Sequence, residues 1–422
     1  MRKTVLISGA SIAGPALAYW LAQYGFEPTV VERAPAPRAG GQAIDLRGTA
    51  REVAERMGVL PEVRRRHTGV RGMCYVDRDG RRRAEMGTEL HGDSGGPIAE
   101  IEILRSDLVD ILYRAGKDRT EYLFDDTITA LTERPDGVHV EFRHAAPRVF
   151  DLVVGADGVR SNVRSLAFGP HERYLDNDGH YVAIFAMRSE IDLGGWHQFH
   201  AMPARRKGEL GRSAALYPVG DNGDARAMFF FSEPDLSYDR RDETAGKRVI
   251  AERFAGEGWQ VPAMLRAMHA DPDFYFARAA RVRLDGFSRG RVVLLGDAAS
   301  AGSIGMGTSL AMVGAYVLAG ELAAAGGDHR VAFPAYDEIM RDYVREAQKP
   351  MPGGTKAFLP ASRFAIAARE LFMRALPYLP WRNAIIGGMD KTANMVRLKD
   401  YQPLAPTGAR SSSASSPPSS DR

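Results

Sequence analysis

Cysteine is all but missing from this chain. Cys74 is the only one among 422 residues, which excludes a disulfide framework and a thiolate zinc site and fits a reducing compartment. Charge of one sign is lacking too: 56 Lys and Arg stand against 53 Asp and Glu, and a net charge of +3 makes no field of the kind that marks nucleic-acid binders. The ten histidines show no metal-ligand spacing, and neither a Ser-His-Asp nor a paired-carboxylate arrangement is legible. No uninterrupted apolar run reaches membrane-spanning length. The opening "TVLISG" enters a strand without the apolar core and small-residue cleavage site of a secretory leader. Together these absences predict a cytoplasmic protein with no metal, membrane or nucleic-acid partner.

What the chain does have is 45% hydrophobic residues, enough for two or three packed layers and two structural domains. The runs Arg64-Arg65-Arg66 and Arg81-Arg82-Arg83 read as solvated faces, because Asp79-Gly80 marks a hairpin tip just before the second. Residues 405–422 are Ser- and Pro-rich with little to bury, which predicts a disordered tail.

Three strand ends carry the chemistry. "TVLISGASIAGPALAYWLAQYGFEPTVVER" reads strand, turn, helix, strand. Its Gly9-Ala10-Ser11-Ile12-Ala13-Gly14 is a G-x-G-x-x-G dinucleotide fingerprint with serine at the middle position. Glu32 ends the second strand about twenty residues on, where a carboxylate would accept from a ribose hydroxyl. "DLVVGADGVRSNVRSLAF" ends a second strand in Asp157. "RVVLLGDAASAGSIGMGTSLA" ends a third in Gly296 and Asp297, with Gly302, Gly305 and Gly307 after it. In open α/β sheets ligands sit beyond the carboxyl ends of the strands. Taken alone, the last segment also reads as a plain strand-to-helix turn with Asp297 as N-cap.

The βαβ rhythm breaks between the second and third motifs. "YVAIFAMR", "HQFHAMP", "SAALYPV" and "AMFFFSE" alternate like strands of an antiparallel sheet. We therefore expect an α/β fold: a discontinuous dinucleotide domain, 1–174 and 288–400, with a mainly antiparallel substrate domain inserted at 175–287. The amphipathic "FLPASRFAIAARELFMRALPYLPW" is expected to pack across both.

These three motifs, in this order, resemble the group A flavoprotein monooxygenases, the family of para-hydroxybenzoate hydroxylase and the tetracycline-inactivating monooxygenases, over about residues 3–325. The resemblance implies a Rossmann-like FAD domain of the GR2 type with C-terminal helices. It implies FAD contacts at Gly9, Ser11, Ile12, Ala13, Gly14, Glu32, Arg33, Asp157, Gly296, Asp297 and Gly307. In that family the G-x-G-x-x-G loop takes the pyrophosphate, the Asp-Gly motif serves FAD and the nicotinamide cofactor, and the Gly-Asp motif holds the ribityl chain. "PRAGGQAIDLRG" and "EIEILRSDLVDIL" look like the tetracycline-inactivating branch, in which Arg38 would meet NADH or NADPH, Asp45 would touch FAD, and Arg105 would contact FAD near its ribityl or phosphate region. For Arg38 a surface loop arginine is the competing reading.

The activity so implied is hydroxylation of an aromatic or polyketide-like small molecule with NAD(P)H and O₂, through a flavin hydroperoxide, and the protein supplies orientation and dryness rather than a nucleophile. The alternative keeps FAD without a redox cycle, as a scaffold for cyclisation or rearrangement. A sensor without catalysis is disfavoured by the pocket-like inserted sheet, and a halogenase by four isolated tryptophans. His197, His200 and Tyr217 are candidate bases, but each reads more readily as a structural or surface residue, so no catalytic residue is assigned. Relatives commonly carry prolines in the loop after the Gly-Asp motif. Here Ala299 to Gly307 has none and offers three glycines, which predicts a loop that is more mobile or runs closer to the ring.

Overall fold

The computed structural model describes residues 2–37, 40–88, 99–177, 179–220, 222–239, 242–350, 353–380 and 382–403. Arg38, Trp381 and the tail 405–422 lie outside them.

Six strands make the first sheet, in the order Ser288–Arg289, Val292–Leu294, Leu152–Gly155, Thr4–Ser8, Glu27–Glu32 and Glu121–Phe124, all parallel except the short first one. Val5, Leu6, Ile7, Val153, Val293 and Leu294 are fully buried, because a parallel sheet is covered on both faces and so needs apolar runs rather than alternation. The strand ends that carry Gly9, Glu32, Asp157 and Asp297 all open on the same edge. Helix Gly307–Ala324 is long and apolar enough to cross a membrane by length and composition, yet 89% of it is buried in the protein. Apolar on every side, it is a core helix, packed against helix Ala13–Gln23.

The second sheet has seven strands, in the order Tyr275–Arg278, His180–Arg188, Asp224–Ser232, Arg212–Pro218, Trp196–Met202, Gly72–Val76 and Arg82–Gly87. All four strands expected from the alternating segments are present. The expected interval 175–287 is nevertheless too short to hold the sheet. Its last two strands come from residues 72–87, joined by a parallel pairing of Gly72 opposite Trp196 through Val76 opposite His200. Every residue of "GMCYV" is buried, and only a distant partner strand could cover it. Asp79-Gly80 does form the hairpin tip, where Asp77 Oδ1 accepts from the amides of Asp79 and Arg81.

Helices Glu243–Phe254 and Val261–Ala270 cover one face of this sheet through Phe185, Phe229, Phe231, Phe254 and Met264. Its other face meets the strand pair Ala43–Asp45 and Glu102–Leu104, where Tyr217 accepts from Ala43 N and His197 pairs with Glu102. Helix Arg363–Ala375 packs Met373 onto Met73, Tyr75 and Met86, with the Arg369 guanidinium 3.8 Å above the Tyr75 ring. Farther on, Ala393 sits against Gly48, where an added Cβ would lie 2.4 Å from the Ala393 carbonyl oxygen. The C-terminal segment thus spans both halves.

Candidate functional site

The loop after the first strand is built for close approach. Gly9 has φ +108° and donates its amide to the Val31 carbonyl at 2.8 Å. A Cβ at Gly14 would stand 1.9 Å from the Gly9 carbonyl oxygen, so only glycine lets the helix start here. Ile12 and Ala13 are buried and Ser11 is half-buried. No side chain caps this helix, which leaves its first amides and its positive end for an anion such as a diphosphate. Glu32 Oε2 accepts from Ala10 N at 2.8 Å and Oε1 from Ala34 N at 3.0 Å. Each oxygen keeps a lone pair that could take a ribose hydroxyl. Arg33 is exposed at the strand end.

Asp157 organises protein groups. Its Oδ1 accepts from Ser161 Oγ at 2.5 Å, and its Oδ2 from Ser8 Oγ at 3.3 Å and Val163 N at 3.1 Å. Burial raises its pKa, against those hydrogen bonds. Arg164, wholly buried, donates to the Val159 carbonyl at 2.6 Å and the Ala298 carbonyl at 2.7 Å, which locks this loop to the one bearing Asp297.

Asp297 opens a short helix whose N-cap is Gly296 at φ +60°, and no side chain caps it. The N-cap reading of Asp297 therefore gives way. Gly296 lets the strand end approach the first turn of helix Ala13–Gln23, where its Cβ would lie 3.0 Å from Ala13 Cβ. A Cβ at Gly307 would lie 3.7 Å from Asp297 Oδ1. Desolvation raises the Asp297 pKa and Arg105 opposes it. Arg105 Nη1 stands 3.5 Å from Ser11 Oγ, and its side chain rests on Gly41, where a Cβ would come within 2.9 Å of Nε. Ser11, Arg105 and Asp297, far apart in sequence, therefore face one crevice at the carboxyl edge of the sheet.

Sequence reasoning missed Tyr275. It is 52% exposed, while Phe274 and Phe276 on either side are half-buried and pack against the core. That alternation was the signal that could have found it. Desolvation raises its pKa, and Asp297, Arg105 and Arg160 all act on it. Asp297 and Tyr275 are both reached by water yet ringed by protein, as residues on a crevice wall are.

Asp45 lies deeper. Its Oδ2 pairs with the fully buried Arg47 at 2.6 Å, and its Oδ1 accepts from Ala99 N at 3.2 Å. It stands directly opposite Glu102 across the strand pair Ala43–Asp45 and Glu102–Leu104. Burial raises its pKa, Arg47 opposes that, and Glu102 adds to it. Glu102 accepts from Thr68 Oγ1 at 2.7 Å and pairs with His197 Nε2 at 3.2 Å. The His197 ring packs 4.8 Å from Tyr217, whose hydroxyl accepts from Ala43 N at 3.2 Å and whose pKa burial pushes up. His200 faces the helix-covered side, bonded to the Val76 carbonyl at 3.1 Å, and desolvation lowers its pKa. It is structural, whereas His197 and Tyr217 belong to the crevice side.

The proline-free loop is pinned at its stem. Gln348 Nε2 donates to the carbonyls of Ala301, Val282 and Ser300 at 2.8, 3.1 and 3.2 Å. Its glycines serve close approach: a Cβ would lie 2.7 Å from Arg281 at Gly302 and 3.4 Å from Asp45 Oδ2 at Gly305. Between them Ile304 is 72% exposed.

A family model described as FAD binding domain matches residues 2–348. An uncharacterized protein, Rv1260 of Mycobacterium tuberculosis (strain ATCC 25618 / H37Rv), is 43% identical over 365 residues, 83% of this chain and 94% of its own. A flavin-dependent monooxygenase from an unknown prokaryotic organism is 36% identical over 403 residues, 94% of this chain and 99% of its own. Among solved structures, tetracycline destructase Tet(55) superposes with a TM-score of 0.78 at 34% identity, covering 95% of this chain and 99% of that one.

Proposed function

The chain belongs to the FAD-binding-domain family and is a flavin-dependent monooxygenase, and from that premise we propose that it uses NADH or NADPH and O₂ to hydroxylate an aromatic or polyketide-like small molecule. The tetracycline destructases among its structural relatives support the polyketide-like end of that range. The observation that carries the reading is the meeting of Ser11, Arg105 and Asp297 beneath an uncapped helix start.

The donor set fits FAD. Ser11, Arg105 and the amides of the Gly9–Gly14 turn would hold the diphosphate, Glu32 a ribose hydroxyl, and Asp297 the ribityl hydroxyls. Asp157, Gly296 and Gly307 would shape the crevice around them. Bound FAD supplies the exchange of electrons with the nicotinamide cofactor and the activation of O₂. The chain itself binds, orients and excludes water. The pinned loop Ala301–Met306 and the face of the second sheet would fix the substrate at one distance from the ring, since a misplacement of about 1 Å can cost on the order of 10²-fold. We assign 1–174 and 288–400 to the cofactor domain and 175–287 to the substrate domain, with the hairpin 72–87 lent to the latter. A cytoplasmic location belongs to the same proposal and rests on the single thiol.

The test is FAD content followed by turnover of phenols, naphthols and anthraquinones under ¹⁸O₂ with NADH or NADPH. Near-stoichiometric FAD, substrate-stimulated cofactor oxidation and ¹⁸O in the product are expected. Product without ¹⁸O, or a colourless protein that takes up no FAD, would sink the proposal.

A further inference from the structure

Helix Arg363–Ala375 has an inner side that the fold uses and an outer side that it does not. Ser362 starts the helix by accepting from Ala365 N at 3.1 Å, and Met373, with Leu376 just beyond the helix end, packs onto Met73, Tyr75 and Met86. Outward, Phe364, Ala367, Ala368 and Leu371 recur at three- and four-residue steps, the spacing of one helical stripe, and all four are exposed. Tyr378, in the 3₁₀ turn that follows, prolongs the line. Phe364 and Tyr378, 83% and 87% exposed, are the most exposed large apolar side chains among the described residues, and Leu371 is 65% exposed between them. The inner side anchors the helix, so the fold leaves this ridge to the surroundings.

Cations border the ridge. Residues 353–382 hold five, Lys356, Arg363, Arg369, Arg374 and Arg382, against one acid, Glu370, whereas the whole chain has a net charge of only +3. The positive surplus is therefore local to this segment. Lys356, Arg363, Arg374 and Arg382 are exposed, while Arg369 lies over the Tyr75 ring and Glu370 stands 3.8 Å from Arg83. Arg363 and Arg374 are eleven residues apart, roughly three turns, so both fall on one shoulder of the helix. A narrow apolar stripe with arginines on its shoulder is the pattern of a helix lying in a lipid headgroup layer: apolar side chains enter the acyl boundary and guanidinium heads reach back to the phosphates.

We propose that this face docks on a bilayer surface bearing anionic headgroups, with Phe364, Leu371 and Tyr378 in the acyl boundary and Arg363 and Arg374 on the headgroup phosphates. The positive surplus selects anionic over zwitterionic lipid. A second copy of the chain fits the face less well. A helix of 13 residues is roughly 20 Å long and 10 Å wide, so two copies meeting through it would bury on the order of 400–800 Å² in all, short of the ~1,200 Å² of a stable dimer. A single convex ridge also offers a protein partner no pocket for an anchor, and a headgroup layer needs none. Attachment of this kind requires no spanning run, the feature whose lack spoke against a membrane partner. Docking here is independent of the chemistry in the crevice.

Vesicle flotation with the FAD-loaded full chain tests it. The probes are vesicles of phosphatidylcholine alone and of phosphatidylcholine with about a third phosphatidylglycerol, at low and high salt. Wild type should bind the phosphatidylglycerol vesicles roughly tenfold better than the neutral ones, and high salt should remove most of that preference. Phe364→Ser/Leu371→Ser should lose roughly tenfold in binding to both kinds of vesicle. Arg363→Gln/Arg374→Gln should lose the preference for phosphatidylglycerol alone. No flotation of wild type at low salt, equal binding to the two kinds of vesicle, or binding that survives in both variants would each overturn the proposal. So would a lipid-free dimer in sedimentation velocity that Phe364→Ser/Leu371→Ser converts to monomer, which assigns the face to a second copy. The four substituted side chains are exposed, so FAD content should hold in every variant; if the apolar pair fails to fold, wild type and the arginine pair still decide. Flotation is read without turnover, so its failure leaves the monooxygenase reading intact, and a failure of that reading leaves the docking face.

Discussion

The wholly buried guanidinium of Arg164 donates at 2.7 Å to the carbonyl of Ala298, the residue next to Asp297, while its other arm holds Val159 at 2.6 Å. One side chain thus fixes the distance between the Asp157 loop and the Asp297 loop. Arg164→Met should leave two carbonyls without a donor and destabilise the protein by roughly 2–5 kcal/mol, and Arg164→Lys by less. Urea unfolding measures this. An unchanged midpoint in Arg164→Met would show that the two loops hold without it.

Gly14→Ala places a methyl 1.9 Å from the Gly9 carbonyl oxygen. The helix must shift, at a cost of roughly 1–3 kcal/mol, and FAD retention after gel filtration should fall with it. Gly286→Ala, where a Cβ meets nothing within 4 Å, is the control and should stay within about 0.5 kcal/mol of wild type. Equal behaviour of the two variants would count against the tight turn.

Asp297→Asn should weaken FAD binding by roughly tenfold to a hundredfold, the scale of a charge-assisted hydrogen bond worth about 1.5–3 kcal/mol. The FAD-free protein should respond in the opposite sense. Desolvation raises the folded pKa of Asp297, so the stability tied to its neutral form is complete below the ordinary carboxylate range and is lost as pH rises through the folded value. At pH 7 the FAD-free variant should therefore melt no lower than wild type, and the difference should close toward pH 4. A variant that melts lower only at pH 7 contradicts this.

Gln348→Leu removes the donor shared by Val282, Ser300 and Ala301. With the loop stem released, oxygen transfer should uncouple: hydrogen peroxide per NAD(P)H rises and product falls, on the order of tenfold or more, at constant FAD content. Peroxide and product assays on one reaction decide it, and unchanged coupling would mean that the stem is held by other contacts.

Legibility in the sequence followed distance along the chain. The Gly9–Gly14 turn, Glu32 and both acid-bearing strand ends were readable because each depends on a few adjacent residues. The pairing of Gly72–Val76 with Trp196–Met202 was not, since nothing local in "GMCYV" names its partner. Asp45 could be tied to the site only by resemblance, because its pairing with Arg47 depends on a buried environment and its facing of Glu102 on a strand register. Gln348 carries no motif at all.

The long-range pairing in the second sheet also has a consequence for biosynthesis. Strand Gly72–Val76 leaves the ribosome well before Trp196–Met202, and at ~5–20 residues per second the wait is roughly 6–25 s. For that interval a fully apolar strand has an unpaired side, the condition under which nascent chains stick to one another. Its hairpin partner Arg82–Gly87, which ends as the edge of the finished sheet, begins amid Arg81, Arg82 and Arg83, all three exposed. The arginine run thus puts three exposed positive charges beside that strand, the kind of flank that disfavours pairing between like chains.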